Sequence, residues 1–191
     1  MAEVKYVTLA EFEAGLNTIR QAPQQEGILA LIVRRPAMDE REVLKEAKLD
    51  LVEGLVGDRW SMRGNSRIVD GSADPDAQLT LMNVRVIELL TQAKDRWPLA
   101  GDQLFVDLDL SLENLPVGTR LALGSATIEV TAKPHTGCSK FMARFGSDAV
   151  KFINSSMGKQ LRLRGLNAKV VQPGIIRVGD QVKKLGGNNC G

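Results

Sequence analysis

Apolar residues recur along the chain with two spacings, one typical of helices and one typical of strands. Near the start, Thr8 and Glu11 form a Thr-x-x-Glu pattern that favours a helix N-terminus. The apolar residues that follow keep helical spacing up to Pro23: Leu9, Phe12, Leu16 and Ile19. A short apolar run, Gly27–Arg35, then lies between turn residues. The pattern predicts an N-terminal helix of about a dozen residues on the outside of the domain, followed by a buried strand.

Between residues 41 and 93 the pattern is more mixed. Arg41–Leu55 combines charged and apolar positions and predicts a strand followed by a turn of helix. Gly54–Asp70 is a loop with several glycines that carries three arginines. A strand is predicted over Gln78–Met82, and Asn83 is the expected N-cap of a helix that ends near Ala93.

From Gln103 onwards, short strand-like segments alternate with turn residues. Their sequences are QLFVDLDL from Gln103, TRLALG from Thr119, ATIEVTA from Ala126, NAKVV from Asn167, GIIRV from Gly174 and DQVKKL from Asp180. The residues from about Ser139 to Ser155 have a helical pattern instead, interrupted at Gly146. Many short strands with few helices predict a mainly β (α+β) fold, a small barrel or a sandwich with peripheral helices.

Length and composition favour one folded domain. The 191 residues are 43% apolar and 25% charged, which is typical of globular proteins. No run approaches the roughly 18 apolar residues of a membrane span, and the first residues lack the layout of a signal peptide. We therefore expect a soluble, cytoplasmic protein that does not bind a membrane. We expect residues 1–26 to form a helical extension packed on the domain, 27–185 the domain itself, and 186–191 a flexible tail.

Residue counts exclude several classes of chemistry. His135 is the single histidine, and Cys138 and Cys190 are the two cysteines. One chain therefore cannot build a four-ligand Cys/His zinc site, and we expect no zinc site. Two cysteines 52 positions apart also give no disulfide framework. The sequence lacks G-x-S-x-G, G-x-G-x-x-G and G-x-x-x-x-G-K-[ST], so serine-hydrolase, dinucleotide and P-loop functions have no support.

Positive charge is concentrated in one part of the chain. Lys133–Lys169 holds eight basic residues and one acidic residue, a formal charge of +7 in a chain whose total is +2. Such a stretch suggests contact with an anionic small molecule, although the same side chains would also suit a solvated helix face. Nucleic acid is disfavoured, because Phe141, Phe145 and Phe152 are spaced as core residues rather than as stacking platforms.

The chemistry is expected in the segment Lys133-Pro134-His135-Thr136-Gly137-Cys138-Ser139-Lys140, which joins a predicted strand to the predicted helix. A cysteine at a helix N-terminus among cations should have a lowered pKa, which would make it a nucleophile or a ligand for a soft metal. The alternative is that Cys138 only fills space, as buried free cysteines commonly do. His135 would either take part in proton transfer or ligand binding, or shape the turn by donating to a backbone carbonyl.

Two other groups of residues have less defined roles at this stage. Arg59, Arg63 and Arg67 would clamp an anion from a second loop, or are scattered surface arginines. Cys190 would act as a resolving thiol, or lie in a solvated tail.

Five segments together resemble the MOSC domain family, which is named after the C-terminal domain of molybdenum cofactor sulfurases. They are GLVGDRW from Gly54, LPVGTRLALGSATIEVTAKPHTGCSKF from Leu115, RFG from Arg144, LRLRG from Leu161 and VVQPGIIRVGDQV from Val170. The similarity covers roughly residues 27–185, and its most specific part is the block of strand, turn and cysteine. The resemblance implies a small β-barrel with peripheral helices, of the standalone bacterial type.

The resemblance also implies a function centred on one cysteine, here Cys138. Family members are thought to carry sulfur on this residue as a persulfide, and in relatives similar to amidoxime-reducing enzymes it ligates molybdenum. The expected cofactor is molybdopterin with molybdenum, the expected catalytic residues are Cys138 and His135, and the expected partners are a cysteine desulfurase or a molybdoenzyme. The residues expected to bind the cofactor share positive charge or a hydroxyl group: Arg59, Arg63, Lys133, Thr136, Lys140, Arg144 and Arg164. Cys138 would be a metal ligand only with that cofactor in place.

Three functions therefore stay open from the sequence. The first is a sulfur carrier or sulfur transferase that binds the cofactor. The second is a molybdenum-dependent reductase of N-hydroxylated compounds, and the third is an anion-binding module without catalysis. A simple cysteine–histidine hydrolase is disfavoured, because no third residue that would orient His135 stands out in the sequence.

Overall fold

A computed structural model describes residues 6–64 and 69–186 of the chain. The described part contains five α-helices: α1 Leu9–Arg20, α2 Val84–Thr91, α3 Ser139–Phe145, α4 Ser147–Asn154 and α5 Ser156–Gln160. Its strands are β1 Glu26–Arg34, β2 Glu42–Leu44, β3 Glu46–Asp50, β4 Gly54–Leu55, β5 Leu79–Asn83, β6 Leu104–Asp107, β7 Arg120–Leu123, β8 Ala126–Val130, β9 Leu166–Gln172, β10 Gly174–Arg177 and β11 Gln181–Lys184. Short 3-10 helices cover Arg59–Met62, Pro75–Ala77 and Lys94–Ala100.

Seven of these strands close into a mixed barrel in the order β1-β6-β5-β9-β8-β7-β11, and β11 returns to β1. The long strand β1 makes closure possible, because it pairs with β11 over Glu26–Ile28 and with β6 over Ile28–Ile32. β5 and β6 are parallel, so a crossover must join them, and α2 with the 3-10 helix Lys94–Ala100 forms it. The predicted mainly β fold is confirmed, and the arrangement is a barrel rather than a sandwich.

Two apolar clusters lie on the two faces of the barrel strands. The first combines inward side chains of the barrel, such as Leu104 and Val106 of β6, with residues of the small sheet β10-β3-β4. The second packs the helices against outward side chains, such as Phe105 of the same strand. Alternation along β6 therefore divides its residues between the two clusters. In the second cluster, Phe12 of α1 stacks on Phe152 of α4 with ring centroids 4.9 Å apart.

Local signals in the sequence place most helices correctly. Thr8 caps α1 with Glu11 in a complete capping box, and Asn83 caps α2 by accepting a hydrogen bond from the Arg85 amide. The predicted helical stretch from Ser139 is confirmed as α3 and α4, and Gly146, at φ 90°, separates them. We also find α1 packed against α2 and α4, but the domain boundary at residue 27 stays a prediction.

The prediction for Arg41–Leu55 is wrong in one respect. Where a turn of helix was predicted, the structure has a tight turn between β3 and β4. The Asp50 carboxylate accepts hydrogen bonds from the amides of Val52 (2.8 Å) and Glu53 (3.1 Å), and Gly54 follows at φ 71°. A side chain that satisfies these amides stabilises the turn in place of a helix. The loop predicted to start at Gly54 likewise begins with the short strand β4.

Candidate functional site

One cavity of about 540 Å³ is lined by all nine residues that were expected from the sequence to act in catalysis or cofactor binding. These residues are Arg59, Arg63, Lys133, His135, Thr136, Cys138, Lys140, Arg144 and Arg164. They come from separate parts of the chain, since the 3-10 helix at Arg59–Met62 and the segment before α3 are far apart in sequence. The basic stretch and the arginine loop, which the sequence left as alternative anion sites, therefore face the same space.

The segment between β8 and α3 is held at three points along its length. The Thr131 amide donates to the Asn167 carbonyl at 3.0 Å. The Asn167 side chain donates to the carbonyls of Lys133 (3.1 Å) and Pro134 (3.3 Å). The Gly137 amide donates to Oδ1 of Asn154 in α4 at 3.1 Å. A side-chain Cβ at Gly137 would lie 2.7 Å from Cδ1 of Ile153, the end of a side chain that would have to shift to make room for it.

Cys138 is exposed and lies immediately before α3 as its N-cap residue. Partial burial would raise the pKa of its thiol, but the Phe141 and Lys140 amides and the charge of Arg164 outweigh this and hold the pKa below its usual value. Both amides belong to the first turn of α3, where backbone N–H groups have no partner within the helix and are available to the thiolate. Burial lowers the Arg63 pKa, and the negative charge of the Cys138 thiolate acts in the opposite direction and raises it. Arg63 is therefore close enough to Cys138 for the two charges to interact.

His135 belongs to a buried network that the sequence did not reveal. Its Nε2 lies 2.7 Å from Oδ1 of Asp102, and Nη1 of Arg164 donates to Oδ2 of the same carboxylate at 2.6 Å. The Asp102 side chain is 0% exposed, so the two partners share a fully buried charge. Burial alone would raise the Asp102 pKa, but Arg164 and His135 hold it below its usual value. A residue that orients His135 did not stand out in the sequence, and this absence was the reason for disfavouring a cysteine–histidine hydrolase. Asp102 is that residue.

The same network determines which nitrogen of His135 carries the proton. Burial, and after it the charge of Arg164, holds the His135 pKa below its usual value, so the ring is neutral at pH 7. An ionised carboxylate only accepts hydrogen bonds, and therefore Nε2 must be the protonated nitrogen that donates to Asp102. Nδ1 is then the hydrogen-bond acceptor of a side chain that lines the cavity.

The cavity is lined by eight cationic side chains and two acidic ones. The cations are Arg35, Arg41, Arg59, Arg63, Lys133, Lys140, Arg144 and Arg164, and the carboxylates are Asp39 and Asp74. Burial, together with neighbouring arginines, lowers the pKa of Arg41 and of Arg63. Within the described ranges, Nε of Arg41 and Nε of Arg164 are buried without a hydrogen-bond partner. Crowded cations give this cavity the chemistry that an anionic ligand would match.

Five charged residues of the site were missed by the sequence analysis. They are Arg35, Asp39, Arg41, Asp74 and Asp102. Arg35 is nearly buried, and its guanidinium and backbone amide bind the Asp58 carboxylate in contacts of 2.8–2.9 Å. Asp102 precedes β6, after Gly101, and this charged position before an apolar strand was the one local signal that would have drawn attention to it.

Two residues named as candidates from the sequence, Arg67 and Cys190, lie outside the described residues. Over residues 6–64 and 69–186, no group of three or more His, Cys, Asp or Glu side chains is arranged to hold a metal ion. In the same ranges no helix combines the length and the apolar character needed to cross a bilayer.

A closed barrel with peripheral helices and a cationic cavity around an exposed cysteine defines the class of protein. The model of the MOSC domain family matches residues 75–183, more than half of the chain. The chain belongs to the MOSC domain family, and this confirms the resemblance noted in the sequence.

Solved structures with the same fold share only a low sequence identity with this chain. The YuaD protein from Bacillus subtilis superposes with a TM-score of 0.63 at 14% identity, over 83% of this chain and 95% of that one. YiiM from Escherichia coli gives a TM-score of 0.53 at 18% identity, over 84% of this chain and 70% of that one. At these identities the likeness shows the fold alone. A comparison with curated protein sequences finds no match.

Proposed function

We propose that the protein binds a phosphate-bearing, molybdopterin-type cofactor in the cationic cavity and carries sulfur on Cys138. The observation that carries the proposal is an exposed thiol with a lowered pKa in a cavity lined by eight cations. A reactive thiolate needs this combination of access and positive field, whereas a packing cysteine needs neither.

The residues of the cavity fit such a cofactor. Its volume of about 540 Å³ lies within the range of small-molecule sites. Six of the eight lining cations are arginines, whose guanidinium groups bind phosphate oxygens in pairs. Cys138 supplies the one thiolate among the lining residues, and the described residues hold no group of three or more His, Cys, Asp or Glu side chains for a metal, so a metal would have to arrive already coordinated by its own cofactor. When bound, a molybdenum cofactor would supply a soft metal centre that accepts sulfur or binds the cysteine.

Sulfur loading would proceed at the Sγ atom of Cys138. The thiolate attacks the terminal sulfur of a persulfide R–S–SH presented by a cysteine desulfurase, and a new S–S bond forms on Cys138. The S–S bond of the donor breaks, and its electron pair leaves with the donor as the thiolate R–S⁻. The step is balanced without an external oxidant. The positive charge of Arg164 and Arg63 stabilises the anionic sulfur both before and after transfer.

His135 would assist by holding a proton at a defined atom. Since Nε2 donates to Asp102, Nδ1 is the ring nitrogen left to accept a hydrogen bond, and it would accept one from an N–H, O–H or S–H group of a ligand in the cavity. In a cavity lined mostly by donors, this acceptor would orient the ligand or take a proton from an incoming thiol. Its partner residue Asp102 acts only through His135 and is a positioning residue.

The experiment is to load the protein with sulfur using a cysteine desulfurase and cysteine. Mass spectrometry of the intact protein should show one added sulfur, about 32 Da, which a thiol reductant removes. Cys138→Ala should abolish the addition, and Cys190→Ala, which removes the other cysteine of the chain, should leave it intact. If Cys138→Ala loads as well as the wild type, the sulfur-carrier function is wrong.

A second function is distinguished by metal content. A molybdenum-dependent reductase of N-hydroxylated compounds, with Cys138 as ligand, is favoured by the same thiolate, because soft metals select thiolate ligands. Protein purified from a host that makes the cofactor should then contain stoichiometric molybdenum and lose it in Cys138→Ser. If Cys138→Ser copurifies with as much molybdenum as the wild type, Cys138 is not the metal ligand.

A binding module without catalysis would behave differently from both. Cys138→Ala would then leave anion affinity unchanged and affect only stability. A cysteine desulfurase as sulfur donor, a molybdoenzyme as acceptor and a cytoplasmic location stay parts of the proposal.

A further inference from the structure

A short surface segment crosses one side of the cavity between β1 and β2. We call residues 36–40 the strap. Before it, Arg35 is fixed by the buried Asp58 carboxylate, and after it β2 pairs with β1. Within the strap, the Glu40 amide donates to the Ala37 carbonyl at 3.3 Å. The strap is therefore fixed at both ends and exposed in between.

Asp39 connects the middle of the strap to α3. Its Oδ1 accepts a hydrogen bond from Nζ of Lys140 at 3.2 Å and lies 3.5 Å from Nη2 of Arg144. Lys140 and Arg144 are four residues apart and so share one face of α3. Among the described residues, these are the polar side-chain contacts that join the strap to that helix.

The Asp39 carboxylate thereby pairs with the charges of Lys140 and Arg144, which would otherwise be available to a ligand in the cavity. Asp39, Lys140 and Arg144 all line the cavity, and both cations are among the residues expected from the sequence to bind an anionic ligand. The hydrogen bond from Lys140 and its charge lower the Asp39 pKa, so the carboxylate is charged at neutral pH. A second anion beside it would be repelled, and an anion that binds both cations must take its place.

We propose that Asp39 is a resident carboxylate which a ligand's anionic group must displace from Lys140 and Arg144, releasing the strap as it binds. The proposal rests on the anion-binding part of the proposed function and names a residue that sets ligand affinity. The ion pairs are exposed, with 58% of the Asp39 side chain and 63% of the Lys140 side chain accessible, so the competition is modest. Competition from the Asp39 carboxylate should weaken anion binding by a factor of about two to ten.

The test compares Asp39→Asn with Glu40→Gln and the wild type. Both substitutions remove one negative charge from the strap, but no salt bridge or side-chain hydrogen bond of Glu40 is formed within the described residues. Asparagine tolerates the left-handed backbone of Asp39, at φ 59°, so the variant should fold. The probes are methyl phosphate, a dianion at pH 8, and dimethyl phosphate, a monoanion. Affinities come from NMR titrations of the α3 amides at fixed ionic strength.

Displacement predicts the same gain for both probes. Asp39→Asn should tighten each by about two- to tenfold, because removing a competitor raises every affinity by one factor. Glu40→Gln should change either affinity by less than about twofold. In the wild type, saturating methyl phosphate should also speed hydrogen exchange of the strap amides at 37–40.

Several results would overturn the proposal. Equal gains in the two variants would mean that only net charge matters. A larger gain for the dianion than for the monoanion would mean that Asp39 repels the ligand without being displaced. Failure of both probes to bind near α3 in wild type and variant would also refute it.

The displacement of Asp39 can be tested independently of sulfur loading on Cys138. Repeating the titrations in Cys138→Ala should preserve the effect of Asp39→Asn. If this effect is present while Cys138 never accepts sulfur, the sulfur-carrier function fails and the displacement stands. If Cys138 is loaded but the affinities do not change, only the displacement fails.

Discussion

Asp102 is the residue whose removal should be most costly, because it compensates a buried charge. Its side chain is 0% exposed, and it binds Nη1 of Arg164 at 2.6 Å and Nε2 of His135 at 2.7 Å. The Arg164 side chain is itself only 8% exposed. Asp102→Ala would leave this guanidinium charged, buried and without its carboxylate.

The expected magnitude follows from this burial. Breaking a buried ion pair by removing one partner costs about 3–5 kcal/mol of unfolding free energy. Asp102→Asn keeps the volume and one acceptor for Arg164, so it should cost less, about 2 kcal/mol. With its oxygen turned to Arg164, the new amide would present an N–H to His135. The ring would then be forced into the opposite tautomer, with the proton on Nδ1.

Denaturant unfolding measures the loss of stability, and the matched control is Asp107→Ala. Asp107 pairs with Arg85 at 2.8 Å, but their side chains are 34% and 24% exposed, so this control should lose about 1 kcal/mol or less. The Asp102 pKa is lowered in the folded protein, so its stabilisation is complete above about pH 4 and is lost as the pH falls through the folded pKa. The difference between wild type and Asp102→Asn should narrow below that pH. If Asp102→Ala loses no more stability than Asp107→Ala, the network does not hold the site together.

Three further predictions concern neighbouring residues. The alkylation rate of Cys138 should reach half its maximum below about pH 8.5, the value for free cysteine, and a higher midpoint would refute thiolate activation. The His135 pKa is lowered, so stability should be constant above about pH 6.5 and fall below it, and His135→Gln should remove this slope. Because the chain has one histidine, ¹⁵N NMR of its ring should also show protonated Nε2 at pH 7 without ambiguity. Gly165→Ala, at φ 104°, would place Cβ 2.0 Å from the Leu81 carbonyl and should cost several kcal/mol, whereas Gly179→Ala, at φ 96° in open space, should cost only about 1 kcal/mol on denaturant unfolding.

Much of the site could be predicted because its signals are local. Cys138 follows a strand and precedes a helix within one short segment, and cations flank it in the sequence. The charge asymmetry of Lys133–Lys169 pointed to an anion, and the lining of the cavity agrees with it. The roles of these residues stay predictions until the experiments above are done.

The missing parts of the site depend on contacts between distant segments. Asp102 and His135 are 33 positions apart, and Asp39 and Lys140 are 101 apart. No periodicity or spacing within one segment encodes such a pair, because each residue alone looks like an ordinary surface charge. Asp50 shows the same limit at short range, since its hydrogen bonds to two amides replaced the predicted helical turn.

The sequence by itself determined the order and type of most elements, the family, and the identity of one thiol among cations. The elements follow from side-chain periodicity and capping residues, which act within a few residues of each other, whereas the family follows from the resemblance of five segments to the MOSC domain family. Only the tertiary structure decided which strands pair to close the barrel and that two basic segments face one cavity. It also decided that a buried carboxylate orients the single histidine. The physical reason is that strand pairing and charge compensation are satisfied between residues brought together by folding, and a linear pattern does not record these distances.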